Sequence, residues 1–370
     1  MSEEKNFHKK PETRPEFPKR AVITGGMPYG NKTLHFGHIG GVFVFADVYA
    51  RFLRDRIGED NVIFVSGTDC YGSPIAESYR RKCAEEGFTG SIKDFVAANH
   101  QAQKQTLDDY DISLNLFGAS GLGRTAEIHN QVSDRFIRRL YENGHLTRIA
   151  TSQFYDAKAG AFLNGRQVVG KCPVEGCNSE KGYADECDLG HQYMPEMLIN
   201  PKSTLTGETP IMKKVTNWYF NLTEQNELLN QYVAEIRTQK NVRPLVSKTI
   251  GEFLKPPVIY IKNEFLEQYE ACKDQMPEHE FIEEPKKPSF TIAFKKLTDC
   301  DQACVVLAEQ GIRYRTGKTL VPFRLTGNVE WGVPAPQLEG EEPLTIWVWP
   351  ESLWAPISFT KAYLEQCGKP

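Results

Sequence analysis

The 370-residue chain predicts an α/β fold, a doubly wound parallel sheet carrying a small metal-binding insertion and a small α+β insertion. Three observations lead there. Residues 21 to 145 alternate short apolar runs with helical periods, two close Cys/His pairs follow residue 171, and an apolar-aromatic run returns at residue 345. The length suffices for two or three domains.

Charged residues make up 25% and hydrophobic residues 40%, and the formal net charge of -4 gives no global nucleic-acid footprint. Any RNA contact is therefore expected as a local patch. Nine cysteines, an odd number, do not form a compact disulfide framework. No signal peptide or apolar run of about eighteen residues stands out, so a reducing cytoplasm and no membrane partner are expected.

Residues 1–20 mix charges of both signs with Pro11, Pro15 and Pro18 and read as a flexible tail. Ala21-Val22-Ile23-Thr24 is a strand, punctuated by Gly25, Gly26 and Pro28. His35-Phe36-Gly37-His38 then opens a helix on which Val42, Phe45, Ala46, Tyr49, Phe52 and Leu53 share one face. Two imidazoles at the N-terminus of a helix that follows a buried strand suit an anion such as a phosphate, because backbone N–H groups and the helix dipole already favour one.

Val62-Ile63-Phe64-Val65 is a second strand, and Asp69 falls at its carboxyl end, where open parallel sheets bind ligands. Asp69 could equally cap the next helix. Helices are expected over Ile92 to Asp109 and Thr125 to Asn143, the latter with Ile128, Val132, Phe136 and Leu140 in register.

Cys172 and Cys177, then Cys187 and His191, form two close pairs separated by about ten residues, with Gly176, Gly182 and Gly190 supplying tight turns. This donor set fits structural zinc, since four protein ligands leave no open coordination position. Residues 226 to 254 are helical in pattern. Farther on, Ser289 to Phe294, the stretch DQACVVLAEQG and Arg313 to Phe323 suggest a β-α-β insertion in which Cys300 and Cys304 lack a partner pair. Thr345 to Trp349 reads as a buried parallel strand.

Several of these stretches resemble the methionyl-tRNA synthetase family of class I aminoacyl-tRNA synthetases. MPYGNKTLHFGH resembles its His-x-Gly-His signature, and VSGTDCYGSPI its GTDEHG-type loop, with Cys70 and Tyr71 replacing Glu and His. The text on both sides of the cysteines, YDAKAGAFLNGR and INPKSTLTGETPIMKKVTNWYFNL, is also similar. Asn328 to Pro334 resembles RDLxWGVP, with Gly327-Asn328 where Arg-Asp is expected. VWPESLWAPIS resembles VWFDAPIGYIS, with Ser352, Leu353 and Pro356 in place of Ala, Pro and Tyr.

The resemblance implies a Rossmann-like (HUP-type) catalytic domain interrupted by a zinc-binding connective peptide. It implies an ATP-dependent ligase that activates an amino acid, methionine by family, to an aminoacyl-adenylate and transfers it to tRNA. By this reading His35, Gly37 and His38 bind ATP, with His35 and His38 catalytic, and Gly26, Tyr29, Asp69 and Trp349 bind the amino acid. Magnesium accompanies ATP as its counterion, and zinc sits on Cys172, Cys177, Cys187 and His191.

The implied domain map runs 1–20 tail, 21–145 first catalytic half, 146–225 zinc-knuckle domain, 226–263 helical return, 264–325 α+β insertion and 326–370 return to the catalytic domain. The family's KMSKS loop and anticodon-binding domain have no counterpart in these residues. Two alternatives therefore stay open: a tRNA-independent amino-acid-activating paralogue, and a non-catalytic synthetase-like binding protein.

Overall fold

The computed structural model describes residues 16–369 except 164, 175, 176, 178, 180, 185, 190, 192, 194, 240, 241, 284–286, 341 and 342. Most of the expected tail, and Gly176 and Gly190, lie outside the described residues. The chain forms two units: one comprises residues up to 144, Arg148–Trp218 and residues from 325, and the other comprises His145–Thr147 and Tyr219–Arg324.

The first unit begins with β1 (Ala21–Thr24) and a loop leading to one continuous helix: α1 (Phe36–His38), a π-helical turn (Ile39–Phe43) and α2 (Val44–Ile57). Its buried side carries Ile39, Phe43, Asp47, Ala50 and Leu53. Of the stripe expected from sequence only Leu53 is buried, whereas Phe45, Tyr49 and Phe52 face solvent. The reason is local: the π turn shifts the register, and the core side includes a carboxylate that apolar counting passes over.

Asp47 accepts hydrogen bonds from the Ser113 backbone N–H and from Arg51 Nε, both at 2.7 Å. Phe36–Ile57 is long and apolar enough to cross a membrane by length and composition, contrary to the expectation of no such stretch. Here its inner side packs with Ile23, Val62, Phe64 and Leu107 in a core cluster.

β2 (Val62–Thr68) pairs in parallel with β1 and with β3 (Leu116–Ala119), giving the order β1-β2-β3. Between β2 and β3 run α3 (Ser73–Glu86) and α4 (Ile92–Asp109), the latter started by a Ser91/Asp94 capping box, and α5 (Gly123–Glu142) follows. β4 (Leu146–Asp156) lies between β5 (Ala161–Phe162) and β8 (Ile211–Phe220). The antiparallel pair β6 (Val168–Lys171) and β7 (Ile199–Ser203) flanks the cysteine loop.

The second unit holds α6 (Asn226–Thr238), α7 (Pro244–Phe253), β9 (Val258–Lys262), α8 (Leu266–Cys272), β10 (Glu280–Ile282), β11 (Ser289–Ala293), α9 (Leu297–Glu309), β12 (Tyr314–Thr316) and β13 (Phe323–Arg324). Its sheet order is β10-β11-β9-β12. β9 is antiparallel to both β11 and β12, so β11-α9-β12 is the expected β-α-β unit with β9 inserted between its strands. Segments 226–263 and 264–325 both contribute strands to this sheet. Ile259, Ile261, Tyr269, Phe290, Phe294 and Leu307 form its core.

The chain re-enters the first unit through β14 (Thr326–Gly327), β15 (Thr345–Ile346) and α10 (Val348–Gln366). The parallel strand expected over Thr345–Trp349 is replaced by two residues antiparallel to β14 and then a helix start. Pro350 in the first turn accounts for this, since its missing N–H is harmless there and its fixed φ suits a helix.

Candidate active site and metal centre

α10 reaches the parallel sheet because two strand residues have no side chain. Phe359, fully buried, lies over Gly67 and Gly118; a Cβ on Gly67 would stand 2.5 Å from Phe359 Cε2 and 2.6 Å from the Gly118 carbonyl oxygen. This contact sets the first turn of α10 beside the carboxyl ends of β1 and β2.

At those ends the two loops are locked together. Tyr29 and Asp69 extend the parallel pairing, with the Gly30 N–H donating to Asp69 O at 2.7 Å and the Asp69 N–H donating to Pro28 O at 2.9 Å. A cavity of about 620 Å³ opens here, lined among others by Tyr29, Tyr71, Gly72, Trp331 and Trp349. Trp331 Nε1 donates to Cys70 O at 2.6 Å, and its ring lies 5.2 Å from that of Tyr71. Tyr71 and Trp331 thus join Tyr29 and Trp349, the two aromatics expected from the sequence, in a lining that also includes Tyr79, Phe162 and Trp347. Both were in view, Tyr71 as a departure from GTDEHG and Trp331 within WGVP.

Behind the lining sits a group of buried titratable side chains. Asp69 is 6% exposed, and Glu351 and His129 are fully buried. His129 Nε2 lies 2.7 Å from Glu351 Oε2 and its Nδ1 2.9 Å from Ser358 Oγ. Burial, then the Glu351 charge, pushes Asp69 up to about 8; burial also raises Glu351 and holds His129 down at about 4. His129 escaped the sequence reading because it occupies the apolar face of α5 between Ile128 and Val132.

The His35-Phe36-Gly37-His38 tetrad lies at the exposed start of the long helix and is not among the residues lining the cavity. Gly37 N–H donates to His35 Nδ1 at 3.1 Å, and His35 N–H donates to His38 Nδ1 at 3.2 Å. Assigned from these bonds, the proton of each neutral ring sits on Nε2, a donor suited to a phosphate oxygen. The rings stack at 3.8 Å, and burial followed by the charges of His35 and Lys32 lowers the His38 pKa. A Cβ on Gly37 would stand 3.0 Å from His35 Cε1, so this glycine makes room for the neighbouring imidazole. At Gly26 a Cβ would meet only Val42 Cγ1, at 3.5 Å, an ordinary contact.

The expected metal ligands do converge. The ligand atoms of Cys172, Cys177, Cys187 and His191 all lie within 4.8 Å of one another, with His191 Nδ1 at 3.3 Å from Cys177 Sγ and 3.5 Å from Cys187 Sγ. Tetrahedral zinc with bonds of about 2.0–2.3 Å separates its ligands by roughly 3.5–3.8 Å, so the donor set fits the ion in number, type and spacing. Burial opposes the Cys187 thiolate, but backbone N–H groups of His191 and Leu189 and the neighbouring thiols bring it to about 7. Gly182 has a steric role, because a Cβ there would lie 2.8 Å from Leu198 Cδ1 and 3.0 Å from the Cys172 backbone nitrogen.

The family model "tRNA synthetases class I (M)" matches residues 21–266. The chain belongs to this family. Among curated relatives, methionine–tRNA ligase of Cytophaga hutchinsonii is 38% identical over 219 residues, 59% of this chain and 30% of that protein. The Bacteroides fragilis enzyme of the same name is 35% identical over 62% of this chain and 31% of its own length. The chain therefore spans about a third or less of the curated relatives it matches. The methionyl-tRNA synthetase of Mycobacterium tuberculosis, solved in complex with methionyl-adenylate, aligns with 92% of this chain and 47% of its own, at 17% identity and a TM-score of 0.46. As a class I synthetase chain, this molecule carries the α/β fold with a parallel sheet that its sequence predicts.

Proposed function

We propose that this chain is the nucleotide- and amino-acid-binding part of a methionine–tRNA ligase. It activates methionine with ATP to methionyl-adenylate and hands the acyl group to tRNA. One observation carries the reading: a single family-matched stretch, residues 21–266, contains the HFGH tetrad on a helix following β1, Asp69 at the carboxyl end of β2, and the Cys/His cluster.

The Nε2–H groups of His35 and His38 donate to the α-phosphate as charge builds on it during attack by the carboxylate. Asp69 takes the amino acid's ammonium group, and Tyr29 and Trp349, both lining the cavity, enclose its side chain. Gly26 leaves its side of the loop open. Magnesium travels with ATP as counter-charge, and zinc on Cys172, Cys177, Cys187 and His191 fixes the connective loop without entering the reaction.

Methionine-dependent ATP–pyrophosphate exchange tests the reading. His35→Ala and His38→Ala should each slow exchange by about 10²- to 10³-fold, the loss typical of one donor to a developing oxyanion. Unchanged exchange in both variants would refute the histidine roles. Charging of bulk tRNA separates a ligase from an enzyme that adenylates without tRNA, and nucleotide binding with no exchange would favour a binding protein.

A further inference from the structure

The loop between β1 and the tetrad forms no helix or strand of its own, yet three of its carbonyls are taken by two amide side chains one turn apart on α4. Gln103 Nε2 donates to Tyr29 O and to Lys32 O, both at 2.8 Å, and Asn99 Nδ2 donates to Gly30 O at 3.1 Å. Gly30 lets the loop lie this close: a Cβ there would stand 2.9 Å from Val96 Cγ1 on α4 and 3.0 Å from Thr68 Cγ2 on β2.

Gln103 is fully buried, and the orientation of its amide follows from its neighbours. Two carbonyls on one side require the NH2 group, which leaves Oε1 facing the Thr68 hydroxyl at 2.7 Å. That hydroxyl donates to Oε1, so the Thr68 oxygen accepts from His100 Nδ1, 2.8 Å away. Both amide protons and the oxygen are thereby engaged. One side chain joins the carboxyl end of β2, next to Asp69, to the loop that carries Tyr29 and leads into the tetrad.

Among the described residues no hydrogen bond holds residues 33 and 34, so the Lys32 carbonyl is the last hydrogen-bonded tie before His35. Three residues span at most about 10 Å. Ile39 and Phe43, packed in the core, fix the body of the helix, whereas His35 is its N-cap and lies where the loop delivers it.

We propose that Gln103, assisted by Asn99, is a positioning residue for adenylation. Its amide holds residues 29–32 in register with the end of β2 and thereby places the His35 ring relative to the amino-acid cavity. Gln103 itself is not among the residues lining that cavity and acts only through the loop. The inference rests on the synthetase reading above.

Methionine-dependent ATP–pyrophosphate exchange by the full chain tests it, with rates referred to the active sites counted by the burst of adenylate so that partial unfolding is not read as slow chemistry. Gln103→Met keeps the volume and removes both donors. It should lower kcat about 10- to 10²-fold, the scale of a misplacement of about 1 Å, with KM for ATP within about threefold of wild type. Because the amide acts through His35, the same substitution made in His35→Ala should cost less than about threefold more.

A kcat equal to wild type, a change confined to KM, or an equal loss in both backgrounds would overturn the inference and leave the function standing. Absence of exchange in the unaltered chain would instead sink the functional reading, and the inference with it. If Gln103→Met does not fold, Asn99→Ala, which removes the tie to Gly30, carries the same cycle. A loss of about three- to tenfold is then expected in the wild-type background and none beyond that of His35→Ala, and an unchanged wild-type rate overturns the inference.

Discussion

Gly67→Ala tests the contact on which the site's geometry depends. The new Cβ would lie 2.5 Å from Phe359 Cε2, 2.6 Å from Phe359 Cζ and 2.6 Å from Gly118 O. Overpacking a buried site costs about 1–3 kcal/mol, and one of these clashes is with strand backbone that a rotamer change cannot relieve. A loss of about 3 kcal/mol is expected, or about 1.5 M in the urea midpoint at an m-value of about 2 kcal/mol/M. Phe359→Ala should cost about 3–5 kcal/mol by leaving a cavity over both glycines. Removing the ring relieves one of the two clashes, so the double variant should be less destabilised than the sum by about 1–2 kcal/mol. Urea denaturation followed by circular dichroism and by tryptophan fluorescence measures all three. A Gly67→Ala midpoint equal to wild type, or additivity within about 0.5 kcal/mol, would mean that α10 does not seat on bare backbone.

The metal and the titratable groups give further tests. Dialysis against a chelator should release close to one zinc per chain and expose the Cys172–His191 loop to proteolysis; Cys187→Ser should reproduce this, and full metal retention in that variant would remove Cys187 from the donor set. The raised pKa values of Asp69 and Glu351 mean that the folded chain binds more protons than the unfolded one, so their contribution is present below about pH 4 and lost as pH rises through about 8. Melting temperature should therefore fall less between about pH 5 and 8 in Glu351→Gln than in wild type, and parallel curves would mean that burial does not raise the Glu351 pKa. Asp47 has the opposite sign. Burial raises its pKa, but hydrogen bonds from Ser113 and Arg51 outweigh this and lower it, so its stabilisation is lost only as pH falls through the depressed value. Asp47→Ala should remove part of the acid limb of the melting profile.

What could be read from the sequence had a short-range cause. β1, the glycine-rich loop and the helix start are contiguous, and their punctuation by Gly25, Gly26 and Pro28 is a local signal. The Cys/His cluster was legible because metal coordination fixes donor type and loop spacing within twenty residues. The β11-α9-β12 unit was legible from its apolar runs, but β9 was not assigned to it, because a strand's sheet partners are not encoded in its own pattern. α3 gave no periodic signal since it buries only Ile75, and β3 is four residues long with Gly118 inside.

The register of the long helix failed for a more instructive reason. Counting apolar residues assumes that a core-facing position is apolar, yet Asp47 is buried because Ser113 and Arg51 satisfy it. His129 and Glu351 broke the same assumption on α5 and α10, 222 residues apart in the chain and 2.7 Å apart in the fold. Such groups are costly to bury, and each of these three is held by partners from another segment. Asp47 has its full set of donors and reads as structural. Glu351 keeps one oxygen, Oε1, without a hydrogen-bond partner, and that difference between two buried carboxylates is visible only in three dimensions.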